Sequence, residues 1–344
     1  MISIPKPLTP GSTIAITAPS SGVSGDALAR LDLVIAQLHA AGFRTIEGQC
    51  LREEYKNASA PASKRAAELM GFLLRDDIAA IIPPWGGELA TEVLDHIDFA
   101  RLRTVEPKWL LGYSDISTIQ LPLTLLSGWA TAHGPNLMDL APTQTDPLTT
   151  SVLAILGSDG STPVTQSSSS HYQVQWTPYK ERLDAPFNLT EPTRWKRLGG
   201  GGPVSFEGRL IGGCLDTIAW LAGTRYGDIP GFVRNSGAAG TILYLENVEM
   251  SPTALVRCLL SLKRQGWFDG LAGLLIGRSA APVPESSQSL GYEEAVSAVL
   301  SGLPCPVLYD VDIGHQPPQF TLINGAHAVV SYREGGGAVM QRFV

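Results

Sequence analysis

Short, unbroken apolar runs alternate along this chain with longer stretches whose apolar residues recur at helical spacing. Residues 13–18, 79–82 and 108–111 are of the first kind and predict strands. Residues 26–41, 62–74 and 116–126 are of the second kind and predict helices, while 98–102 lead towards the 108–111 run. Strand and helix taking turns in this way predict a mostly parallel sheet with helices on both faces. Such a sheet binds ligands beyond the carboxyl ends of its strands. The loops after residues 82 and 111 are therefore expected to meet at one crevice.

The pattern changes at residue 158. Residues 158–170 are rich in Ser, Thr and Gly, and 199–202 are four glycines. Between them lie Trp176, Tyr179 and Trp195, too many rings for a plain linker. Such rings either cover a sheet edge or fold over a site. After Pro203 a second α/β pattern begins, with strands at 204–209, 240–245, 273–276 and 307–309 and helices at 213–221, 252–262 and 293–300. Residues 320–322, 328–332 and 338–343 look like a closing antiparallel set. The expected fold is α/β, in two α/β domains. Residues 1–157 hold a mostly parallel sheet with flanking helices, 158–202 a linker and aromatic loop, and 203–344 a smaller domain with a mixed sheet.

Composition narrows the classes of function. With 44% hydrophobic and 17% charged residues the chain is globular, and at 344 residues it is long enough for two cores. A formal net charge of −7 argues against a nucleic-acid polymer as partner. The N-terminal residues carry no basic region followed by a long apolar stretch, so neither a secretory signal nor a membrane span is expected. Cys50, Cys214, Cys258 and Cys305 have no C-x-x-C spacing, which fits free thiols in a cytoplasmic protein.

The candidate chemistry gathers at strand exits. Gly112-Tyr113-Ser114-Asp115-Ile116-Ser117 follows the 108–111 run, putting Ser114 on a tight strand-to-helix bend. That is the mechanical idea of a nucleophile elbow without the G-x-S-x-G form; a helix cap is the plainer reading. Glu246 ends the run 241–246, and His315 sits in the Gly/Pro-braced loop Asp312-Ile313-Gly314-His315-Gln316-Pro317-Pro318-Gln319. Serine, acid and histidine after buried strands are what a hydrolytic triad requires. The N–H of Asp115 is the natural first donor to an oxyanion. Glu249 competes for the acid and His133, in His133-Gly134-Pro135, for the base. Neither an H-E-x-x-H nor a clustered Cys/His spacing occurs, so no metal and no cofactor are expected.

In this order the motifs resemble the LD-carboxypeptidase family of serine peptidases, which includes murein tetrapeptide carboxypeptidases and microcin C immunity-type peptidases. The resemblance runs from Pro10-Gly11-Ser12 and residues 13–20 through Gly86-Gly87, the turn at Ser114, His133-Gly134-Pro135, residues 207–213, Leu243-Tyr244-Leu245-Glu246-Asn247 and the His315 loop. It implies Ser114 as nucleophile, His315 as base, Glu246 as orienting acid, a second oxyanion donor from Gly86 or Gly87, and a possible homodimer. Two residues depart from the family: Trp85 stands where an arginine is common, and Cys214 where an asparagine is common. The aromatic segment 171–195 looks more like the immunity-type branch. Trp85, Trp176 and Trp195 are then candidate substrate contacts for a small peptide or peptidyl-nucleotide, with ring stacking on a base. The murein branch, releasing a terminal D-alanine, is the alternative. A non-catalytic small-ligand binding protein is the reading from a different class.

Overall fold

The computed structural model describes residues 2–142, 146–176, 181–284, 286 and 288–343; Tyr179 lies outside them. Five strands come first: β1 (Thr13–Ile16), β2 (Arg44–Glu47), β3 (Ala80–Ile81), β4 (Trp109–Gly112) and β5 (Thr131–His133). Four short ones follow, β6 (Val164–Ser167), β7 (His171–Tyr172), β8 (Glu191–Pro192) and β9 (Lys196–Arg197). The last third adds β10 (Val204–Cys214), β11 (Thr241–Glu246), β12 (Gly273–Gly277), β13 (Val307–Val311), β14 (Leu322–Asn324), β15 (His327–Arg333) and β16 (Gly336–Arg342).

All of these strands but β7 and β8, which pair with each other, form two large sheets. The first runs β14-β5-β4-β3-β1-β2 and is parallel except at β14. The second runs β6-β16-β15-β10-β11-β12-β13-β9, with β10 to β13 parallel and the flanks antiparallel. The fold is thus α/β, with a parallel-rich first sheet and a mixed second one. β1, β4, β11 and β12 are buried throughout, as continuous apolar runs require when helices cover a sheet. Helix Leu28–Ala40 buries Leu31, Val34, Ile35 and Leu38, one stripe of a 3.6-residue period. Helix Pro252–Arg264 begins with Ser251 as cap and Pro252 in its first turn, and buries Leu255, Leu259 and Leu262.

Four features depart from the pattern in the sequence. β2 carries no strand signal in the sequence, because this edge strand is only half buried and Ile46 is its sole aliphatic residue. β10 continues through Gly212 and Gly213 to Cys214, so the helix expected from residue 213 starts at Leu215. Residues 98–102 form helix Phe99–Leu102, capped by the Asp98 carboxylate, which accepts the Arg101 N–H. The closing antiparallel set divides: β15 and β16 join the second sheet, but β14 crosses over and pairs with β5 of the first. Segment 158–202 also supplies both edges of the second sheet, since β6 pairs with β16 and β9 with β13.

Candidate active site

The chain leaves β4 at Gly112 and turns at Ser114 into helix Ser117–Pro122. Ser114 has φ +62°, in the left-handed region that a side chain enters only at a cost of roughly 1–3 kcal/mol. Two side chains hold it there. Asn136 Oδ1 accepts the Tyr113 N–H at 3.2 Å, and the buried Asp115 carboxylate accepts Ser20 Oγ–H at 2.6 Å, Ala90 N–H at 2.7 Å and Thr118 Oγ–H at 3.0 Å. Asp115 therefore ties three segments around the bend with its side chain and leaves its N–H beside Ser114.

Glu246 and His315 arrive from the other sheet. Glu246 is the last residue of β11 and fully buried; its Oε2 accepts the His315 Nδ1–H at 2.9 Å. With Nδ1 so engaged, Nε2 carries the lone pair and accepts Ser114 Oγ–H at 3.0 Å. Burial pushes both groups towards neutrality, and their mutual attraction outweighs it. The Glu246 carboxyl is held below its ordinary value, and His315 above its own. The His315 loop passes directly over the acid: Gly314 has φ +93°, and a side chain there would meet Glu246 Cδ at 2.6 Å. The Tyr113 ring packs on the imidazole with centroids 4.7 Å apart.

A clamp that no local sequence pattern marks holds that loop. Arg278, one residue past β12, donates to Asp312 Oδ1 at 2.9 Å, to Gln316 O at 2.8 Å and to Pro318 O at 2.6 Å. Trp195 Nε1 donates to the other Asp312 oxygen at 2.7 Å. Asp216 is likewise unmarked. Its carboxylate accepts the N–H groups of Val248, Glu249 and Met250, fixing the turn that follows Glu246.

The glycine pair lies against the nucleophile. A Cβ on Gly86 would sit 2.8 Å from the Asp115 N and 2.9 Å from Ser114 Oγ, so only backbone fits. Gly87, at φ +137°, packs instead against Ser20 and Ser21. The rivals fall elsewhere. His133 is buried edge-on between Tyr113 and Tyr244, neither ring nitrogen is hydrogen-bonded, and burial holds its pKa down to about 4. Glu249 is exposed on the cleft wall.

The three tryptophans do not gather at Ser114. Trp195, at 1% exposure, is core: it packs on Phe320 and holds Asp312, so the expectation that it touches substrate is corrected by burial. Trp85 turns its Nε1–H to the carbonyls of Ser21 and Gly22, both at 3.2 Å, and packs against the apolar cluster that includes Ile14, Ile16, Trp109 and Leu111. Trp176 remains 41% exposed against Phe187 and outside the residues that line the Ser114 cleft. That cleft, of about 530 Å³, holds Ser114, Asp115 and His315. Glu54, Glu88, Asp216 and Glu249 line it, together with Trp220, which is 78% exposed. Among the described residues lining it, none is a lysine or arginine.

A hydroxyl on a strained bend, an imidazole hydrogen-bonded to it, and a buried carboxylate behind the imidazole form the constellation of a serine hydrolase. Comparison with known proteins agrees. Residues 14–134 match the LD-carboxypeptidase N-terminal domain and residues 207–330 the LD-carboxypeptidase C-terminal domain, so the chain belongs to the LD-carboxypeptidase family and is a serine-type carboxypeptidase by class. A probable murein peptide carboxypeptidase of Bacillus subtilis is 26% identical over 96% of this chain and 92% of that protein. The microcin C7 self-immunity protein MccF of Escherichia coli is 24% identical over 98% and 96%. A structure of MccF in complex with glutamyl sulfamoyl guanosine superposes with a TM-score of 0.84 at 23% identity, covering 99% of this chain and 98% of that one. The muramoyltetrapeptide carboxypeptidase of Oxalobacter formigenes gives 0.72 at 21% identity, over 96% and 99%.

Proposed function

We propose that Ser114 attacks the carbonyl of an amide joining an aminoacyl or peptidyl group to a nucleotide-like moiety. His315 takes the serine proton at Nε2 and returns it to the leaving nitrogen. Glu246 keeps the Nδ1–H tautomer and balances the imidazolium. The N–H of Asp115 and a backbone N–H of the Gly86-Gly87 turn receive the oxyanion. The nucleophile thus comes from residues 1–157 and its base and acid from 203–344. A complete site forms only when the two halves pack together.

The observation that carries this reading is a pair of unlike clefts bordering consecutive residues. The cleft at His315 is acidic and has no lysine or arginine among its described lining residues to take the free carboxylate of a tetrapeptide. A second cleft, of about 470 Å³, begins at Gln316 and is lined by Tyr172, Tyr292, Arg194, Lys196 and Arg278. Lys196 and Arg278 are paired with carboxylates there, whereas Arg194 is exposed. Rings and cations suit an anionic leaving group with a flat base. MccF, a relative by sequence and fold, has been solved with glutamyl sulfamoyl guanosine and with aspartyl sulfamoyl adenosine. The second reading, release of a terminal D-alanine, is favoured by the relatives named murein peptide and murein tetrapeptide carboxypeptidase.

No described helix is long and apolar enough to cross a membrane. The four free cysteines support a cytoplasmic enzyme, and the family resemblance a homodimer, which light scattering tests. The deciding assay offers the enzyme an aminoacyl-sulfamoyl adenosine and a murein tetrapeptide side by side. Faster cleavage of the first is expected; rapid D-alanine release with an intact adenosine compound reverses the choice. Neither cleavage nor labelling of Ser114 by a serine-directed phosphonate, with tight retention of ligand, points to a binding protein.

A further inference from the structure

We propose that Cys214, Glu246 and His315 form an inhibitory site for a soft divalent cation such as Zn²⁺ or Cd²⁺. Cys214 ends β10 and Glu246 ends β11, and the two are register partners on adjacent parallel strands, so their side chains emerge on one face. His315 closes over them. One ligand atom from each residue, a sulfur, a carboxylate oxygen and an imidazole nitrogen, lies within 4.8 Å of the other two. In a tetrahedral zinc site, bonds of about 2.0–2.3 Å put such atoms roughly 3.5 Å apart. Closing the difference takes side-chain movements of about an ångström.

A second observation points the same way. Glu246 is fully buried, yet its Oε1 has no hydrogen-bond partner in ordinary geometry. The Cys214 S–H, a weak donor, interacts with this carboxylate beside His315; a buried oxygen so poorly served is costly, and a cation satisfies it. The Cys214 sulfur makes the set distinctive, since it adds a soft donor to the imidazole and carboxylate. Thiolate, imidazole and carboxylate together are a zinc-type donor set. Cys214 and Glu246 are sealed from solvent, so the ion enters along the Ser114 cleft past the part-exposed His315.

Binding at Nδ1 explains why the cation inhibits. Cys214 gives up its S–H proton to solvent, and a sulfur–metal bond replaces it. The Nδ1 lone pair is bound only if the imidazole proton moves to Nε2. Nε2 then has no lone pair for the Ser114 hydroxyl, and proton abstraction stops. One proton leaves per cation bound, and nothing is oxidised or reduced.

The test titrates the intact protein with cadmium chloride and follows the ultraviolet thiolate-to-cadmium absorption band. One equivalent per chain is expected, with loss of phosphonate labelling at Ser114 and recovery on adding EDTA. Cys214→Asn is expected to lose the band, to keep its labelling in cadmium, and to bind the ion more weakly by more than the 10–100-fold typical of losing a mere supporting contact. A variant with Cys50, Cys258 and Cys305 all changed to Ser keeps the band and decides the matter if Cys214→Asn does not fold. An unchanged band in Cys214→Asn, or its loss in the triple variant, overturns the site. The band reports binding whatever the substrate, so it fails separately from the hydrolase reading.

Discussion

His315 Nε2 and Ser114 Oγ lie 3.0 Å apart although 201 positions separate the two residues in the chain. One belongs to a bend after the first sheet and the other to a loop of the second. The contact between the proposed base and the proposed nucleophile is therefore also a contact between loops of the two sheets. Fastenings beside it hold the register. The Cys214 N–H donates to Ser117 Oγ at 3.0 Å, and Asn324 links Gly212, Tyr244 and Thr131.

Ser114→Ala is expected to lower kcat by roughly 10⁴- to 10⁶-fold with its thermal midpoint unchanged within a few degrees. His315→Ala is expected to cost about as much, and the double variant little more than either, because the two act as one unit. Steady-state kinetics on the three proteins check this; additive losses, or full activity in Ser114→Ala, refute the assignment.

The pH profile follows from the His315–Glu246 pair. The pKa of His315 lies above its ordinary 6.5, and a base works only when neutral, so kcat/KM rises with pH along a limb placed above 6.5. Glu246→Gln removes the charge that raises it, and the limb is expected to move to lower pH as kcat drops. The stability terms run in opposite senses. The His315 contribution is complete below 6.5 and fades as pH climbs through its raised value. That of Glu246 is complete above 4.5 and fades as pH falls through its depressed one. Denaturant midpoints across pH, compared with Glu246→Gln, are expected to differ most between those two values.

Gly86→Ala tests the oxyanion turn. The added methyl would press on the Asp115 N at 2.8 Å and on Ser114 Oγ at 2.9 Å, displacing donor and nucleophile together. A fall in kcat of about 10²–10³-fold is expected, the size of losing one oxyanion donor. A variant that stays folded and fully active would remove Gly86 from the site.

Charge should set acyl preference. Glu54, Glu88 and Glu249 face the Ser114 cleft, and Trp220 offers an exposed ring to a cation. Lysyl-sulfamoyl adenosine is expected to be cleaved at least about tenfold faster, as kcat/KM, than the glutamyl compound, a difference near 1.4 kcal/mol. Glu249→Lys is expected to narrow that ratio. Equal rates for both compounds would show that these carboxylates do not read the acyl group.

The parts of this architecture that were readable in the sequence are those with a local pattern. β1, β4 and β11 announce themselves as unbroken apolar runs, and Ser114, Glu246 and His315 as polar residues at the exits of such runs. Their convergence is a tertiary fact that no window of residues contains. β14 was misassigned for that reason: three residues specify a strand but not its neighbour. Trp195 misled because a ring within a Ser- and Gly-rich segment looks exposed, while its indole is in fact the partner of Asp312. Arg278 and Asp216 gave no signal at all, since their work is to hold backbone groups of loops distant in sequence.

The pairing of β14 with β5 also sets an order in biosynthesis. Until Leu322–Asn324 leaves the ribosome, the nascent first sheet exposes β5 as a bare edge, and unpaired edges invite pairing with other chains. The chain must be made through Asn324 before that edge is covered. A chain stopped short of residue 322 can already contain Ser114, Glu246 and His315, yet its first sheet remains open to aggregation.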